Sequence, residues 1–182
     1  MMRAFAFAVV ASCVGTVATA FDLALPDHAR VVTDQAVQLG SYRLPVGRWG
    51  DTGVPQVVVE GLVHHRSFRI DGESATSLQI LVPIRENLRE QGFDIAFECD
   101  TRDCGGFDFR FGIEVLPAPE MYVNLRDFRF LSARRGKAEA AGVLISGSSD
   151  AMFMQVVTVT GIMNADVAPQ SIVPMDQRPT MH

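Results

Sequence analysis

Cysteine is the residue type in this chain best equipped for covalent chemistry, and its placement limits what that chemistry can be. Cys99 and Cys104 are separated by four residues, while Cys13 lies far upstream in an apolar leader. A close pair can be a structural disulfide or a thiol-exchange site. Exchange catalysts favour Cys-x-x-Cys, so the wider spacing favours a staple. Its short loop would give about 2 kcal/mol of stabilisation in the chain-entropy model. The rival reading is a thiol-disulfide oxidoreductase using the same two residues.

Other reactive types are present without the spacing that would make them a site. Ser146-Gly147-Ser148-Ser149 lacks the flanking glycines of a hydrolase nucleophile elbow and reads as a hairpin turn. His64 and His65 are adjacent on an expected strand, so their rings should point to opposite faces and not grip one metal; His28 and His182 are remote. Glu98, Asp100, Asp103 and Asp108 crowd the cysteines, but the regular Asp-x-Asp-x-Asp-Gly spacing of a calcium loop is missing. Arg102 and Arg110 are near enough in sequence to balance that charge. Neither a phosphate-cradling loop nor a dinucleotide fingerprint occurs. No catalytic residue, metal or cofactor is therefore assigned.

What remains is an aromatic and basic stretch. Phe107, Phe109, Phe111, Tyr122, Phe128 and Phe130 are interspersed with Arg110, Arg126, Arg129, Arg134 and Arg135. On a half-buried sheet such a pattern fills one face with rings and coats the other with guanidiniums. The sharper reading takes Arg110, Tyr122, Arg126, Arg129 and Arg134 as a candidate binding face for an anionic envelope polymer or a protein partner.

The elements that must position these residues follow from periodicity. Residues 21–53 mix Pro, Gly and Asp with short apolar runs and read as an extended lead-in arm, with one short strand near Ala29–Val32 and Trp49 as its anchor. Val57 through Ile70 reads as a long strand with Gly61 as a bulge. Thr76 and Gln79 form a capping box for a helix carrying Leu81, Ile84 and Leu88 and ending at Gly92; Pro83 either kinks it or begins it. Phe93 to Cys99 alternates as a half-buried strand. Phe107 to Ile113 also alternates, with a short helix as the alternative, before the stop at Leu116-Pro117-Ala118-Pro119. Tyr122–Ser132, Ala141–Ser146 and Met152–Thr160 read as a strand meander. The expected fold is α+β, a mainly antiparallel sheet with one principal helix packed on one face, spanning residues 54–163. Residues 164–182 read as a disordered tail or linker.

The first twenty residues set the compartment. Met1-Met2-Arg3, the apolar run Ala4–Val17 and Ala18-Thr19-Ala20 match a cleavable signal peptide, leaving Phe21 as the new N-terminus. The run is shorter than a membrane-spanning helix needs. Val10-Ala11-Ser12-Cys13 offers a lipoprotein box as the alternative. Loss of Arg3 from 16 basic residues leaves 15 against 21 acidic ones, a net charge of −6 with His neutral, which does not attract nucleic acid. No later segment is long and apolar enough to span a membrane. The expectation is a periplasmic module with an oxidised Cys99–Cys104 pair.

Ser41-Tyr42-Arg43-Leu44-Pro45, the block Cys99 through Cys104-Gly105-Gly106-Phe107-Asp108-Phe109-Arg110-Phe111, and Leu116-Pro117-Ala118-Pro119 together resemble the N-terminal module of a group of bacterial OmpA-family envelope proteins. The resemblance covers roughly residues 21–162. It implies an envelope location with outer-membrane association, a non-catalytic accessory role, and a cell-wall polymer or envelope protein as partner. In that family a C-terminal OmpA-like domain binds peptidoglycan; none follows here, so its binding residues carry over to no position in this sequence.

Overall fold

The computed structural model describes residues 23–72 and 75–161, so the expected signal peptide and the 164–182 tail lie outside the described residues. Strand β1 (Ala29–Pro45) is followed by β2 (Gln56–Asp71), helix α1 (Ser77–Glu90), β3 (Asp94–Asp100), and two short helices, α2 (Thr101–Cys104) and α3 (Gly106–Gly112). Then come β4 (Phe128–Arg135), β5 (Glu139–Gly147) and β6 (Ala151–Thr160). All neighbouring strands run antiparallel, in the order β1-β2-β6-β5-β4-β3.

The β-branched run in β2 gives a strand that pairs on both sides, with β1 along one edge and β6 along the other. Helix α1 begins where its capping box forms: Thr76 Oγ1 accepts from the Gln79 amide at 3.3 Å, and Gln79 Oε1 accepts from the Thr76 amide at 2.8 Å. Pro83 lies inside the helix rather than at its start. Ile80, Leu81, Ile84 and Leu88 are buried with Phe68, Ile70, Leu131, Val143, Ile145, Met154 and Val156 as α1 passes over the sheet toward β3.

The opposite face has its own core of Phe109, Phe128, Phe130, Leu144 and Phe153 around the two cysteines. A third cluster joins Tyr42, Leu44, Val59 and Val63 to Ala140, Val157 and Val159. Strands β1 and β5 are not neighbours in the sheet, so the C-terminal part of β1 folds back across it. Ser132 Oγ fastens that end by donating to the Pro45 carbonyl at 2.6 Å. Tyr42 lies directly over Gly142, where a Cβ would run into its phenol oxygen.

The expectation of an α+β fold built on one principal helix is corrected. Among the described residues six antiparallel strands dominate, and the helices have only 14, 4 and 7 residues. The physical reason lies in β1, a 17-residue strand in place of the short one expected near Ala29–Val32. From Arg30 to Leu39 only Thr33 is buried, so an edge strand wet on both faces has no hydrophobic alternation to reveal it. Bulges place Val32 and the Gln38-Leu39 stretch as extra residues on β1; the irregularity expected at Gly61 lies opposite the second of these. Such bulges twist an edge away from edge-to-edge pairing.

Two further expectations change. The Phe107–Ile113 alternation belongs to α3, the helical alternative: Phe107 and Phe111, four residues apart, are exposed with ring centroids 4.5 Å apart, while Phe109 is buried. The strand expected from Tyr122 begins only at Phe128. Residues 113–127 instead cross the second face as irregular chain, held where Gln155 donates to the Glu114 carbonyl at 2.9 Å and accepts from the Leu116 amide at 2.7 Å.

Candidate functional site

The cysteine loop is built by local capping. Asp100 ends β3, and its carboxylate accepts from the amides of Arg102 at 3.0 Å and Asp103 at 3.2 Å, which starts α2. Gly105 closes the turn at φ 113°, a left-handed conformation that suits glycine, and a Cβ there would come 2.8 Å from that of Trp49. The Trp49 amide donates to the Cys104 carbonyl at 2.8 Å, fixing the β1–β2 connection to the loop. The sulfurs of Cys99 and Cys104 meet at disulfide-bonding distance across a Cα separation of 5.2 Å. Cys104 is fully buried and Cys99 nearly so.

The five residues of the candidate binding face are distributed over several surfaces. Arg110 is half-buried, its guanidinium 5.2 Å from the Phe111 ring, and burial lowers its pKa from the usual arginine value. Tyr122 is exposed against Phe153, with centroids 5.8 Å apart, in a hollow of about 470 Å³ that also touches Val32, Arg69, Pro119 and Asp150. Arg134 lies near the other end of β4, with its Nε buried and lacking a hydrogen-bond partner among the described residues. Five positions separate it from Arg129, so the two point to opposite faces of the strand.

Arg126 and Arg129 do come together. They line a polar pocket of about 230 Å³ with Asp100, Thr101, Arg102 and Asp127. Thr101 is already engaged, its hydroxyl donating to the Phe128 carbonyl at 3.1 Å and accepting from the Phe128 amide at 2.8 Å. Arg102 is the residue that sequence reasoning assigned to another role. It was expected, with Arg110, to neutralise the acidic residues around the cysteines. Among the described residues neither forms an ion pair; Glu98 pairs instead with Arg85 at 2.9 Å. No short-range signal links Arg102 to Arg126 and Arg129, because the β3–β4 pairing that sets Asp100 opposite Arg129 creates the neighbourhood.

The histidines do not converge. His64 contacts Asp34 of β1, whereas His65 is set beside Glu114 and burial lowers its pKa. No group of three or more His, Cys, Asp or Glu side chains suited to a metal occurs among the described residues. No helix among them is long and apolar enough to cross a membrane. No protein-family model and no curated protein matches this chain.

Proposed function

We propose that this protein is a non-enzymatic binding module of the bacterial periplasm, associated with the outer membrane, that docks a cell-wall polymer. The observation that carries the reading is the burial of the Cys99–Cys104 pair within the Phe109, Phe128 and Phe130 cluster. A thiol-exchange catalyst needs an accessible, activated sulfur, and a sealed pair suits a staple made in an oxidising compartment. That burial weighs against the oxidoreductase reading, for which insulin-reduction turnover abolished by Cys104→Ser would be the positive sign. The resemblance to the OmpA-family module supports the envelope location. Arg126 and Arg129, whose guanidiniums form no ion pair among the described residues, supply attraction for an anionic polymer in a chain of net negative charge.

The test is co-sedimentation of the purified protein with isolated peptidoglycan sacculi over a salt series. Pelleting that survives raised salt supports wall binding. Salt-sensitive pelleting supports it only where Arg126→Gln weakens it more than Arg48→Gln does; equal weakening by both marks nonspecific charge attraction and sinks it. Protein that stays in the supernatant throughout also rejects the wall as ligand and favours an envelope protein.

A further inference from the structure

We infer that the pocket between α2 and the start of β4 is an oxyanion site, in which Arg102, Arg126 and Arg129 together bind a phosphate or carboxylate group. This names the ligand chemistry of the binding module proposed above and rests on that reading only for its biological setting.

Three observations carry it. The three arginines come from three places in the chain, α2, the 113–127 connection and β4, yet line one pocket. Several arginines elsewhere have anionic partners, Arg30 with Asp71, Arg43 with Glu114, Arg85 with Glu98 and Arg135 with Glu139, whereas Arg48, Arg66, Arg110 and Arg134 form no ion pair among the described residues and are dispersed rather than gathered in one pocket. Arg102, Arg126 and Arg129 have no ion pair or side-chain hydrogen bond among the described residues, although two carboxylates line the same pocket.

Those carboxylates are engaged with other donors. Asp100 caps α2 through two backbone amides, and Asp127 Oδ1 accepts from Ser77 Oγ at 3.1 Å. Three positive and two negative side chains leave the pocket net positive, with guanidinium N–H groups among its donors. Planar forks of that kind match the paired oxygens of a carboxylate or phosphate. The pocket volume of about 230 Å³ admits one such group, free or carried on a polymer.

The test is calorimetric titration of the purified, disulfide-bonded protein at low ionic strength with inorganic phosphate and, separately, citrate. Saturable one-site binding of either is expected, with phosphate alone indicating a phosphoryl ligand and citrate alone a carboxylate one. Arg102→Gln and Arg126→Gln, both on exposed residues, should each weaken it at least tenfold; Arg129→Gln should do the same if the variant melts normally. Arg48→Gln, which removes an exposed charge outside the pocket, should change nothing. The absence of saturable heat with both anions, or equal weakening by Arg48→Gln, would mean a solvated charge cluster only and overturn the inference. Sacculus pelleting without anion binding defeats the pocket and leaves the module reading intact. Anion binding without pelleting does the reverse.

Discussion

Cys99 and Cys104 carry the clearest consequence at the scale of single residues. Both sulfurs are buried among aromatic rings, so replacing both with Ser removes the loop constraint and places two hydroxyls in an apolar cluster. The double variant should lose at least about 2 kcal/mol of stability, read as a lower Tm under oxidising conditions and as no further change on adding reductant. An unchanged melting curve would refute the staple. This pair was legible in the sequence because an even cysteine count and a short spacing are local signals. Arg102 was not, since its role depends on Arg126 and Arg129, brought beside it only when β3 and β4 pair. Phe107 and Phe111 misled for a related reason: alternation over a few residues fits a strand, but a four-residue separation also fits one face of a helix.

Among the elements, α1 was written plainly in the chain. Thr76, Gln79 and the spacing of Leu81, Ile84 and Leu88 all act within one helix, and Thr76 became its cap despite Pro83. Strand β1 is the opposite case. Its exposed first part is polar and apolar without order, and its end is positioned by residues nearly a hundred positions away. Tyr42 shows this best, because its fully buried ring needs the missing side chain of Gly142 on β5. Burial, reinforced by Glu114, also raises the pKa of its phenol, keeping it neutral. Gly142→Ala should therefore destabilise by about 1–3 kcal/mol through overpacking, with denaturant midpoint as the readout. Tyr42→Phe in the same background should recover part of the loss by withdrawing the oxygen that clashes. Failure of that rescue would mean β1 does not fold back over β5 as described.

For the molecule as a whole, stability should depend on pH in two stages. Burial, opposed by Glu114, holds His65 below its ordinary pKa of 6.5, so the unfolded chain binds the proton more readily than the folded one. Stability is then expected to fall as pH drops below about 6.5, and His65→Gln should flatten that first descent in a Tm-against-pH series. Asp71 and Glu139 are shifted the other way, chiefly by hydrogen bonds from Arg69 and Arg135 respectively. Their contribution is present above the ordinary carboxylate range and lost as acid titrates them, which gives a second, steeper descent. A single acid transition unaffected by His65→Gln would contradict this assignment.

The strand order also dictates when the chain can fold. β6, the last in chain order of the six strands among the described residues, sits between β2 and β5 and is their shared partner, through pairs as distant as Leu62 with Thr160. Until residue 160 is available, the β1–β2 hairpin and the β3–β4–β5 sheet have no edge in common, and α1 has no continuous surface to cover. The topology thus works as an assembly lock: early segments can form hairpins, but the cores common to both halves close only after the final strand is threaded between them, which defers cooperative folding until essentially the entire domain has been delivered.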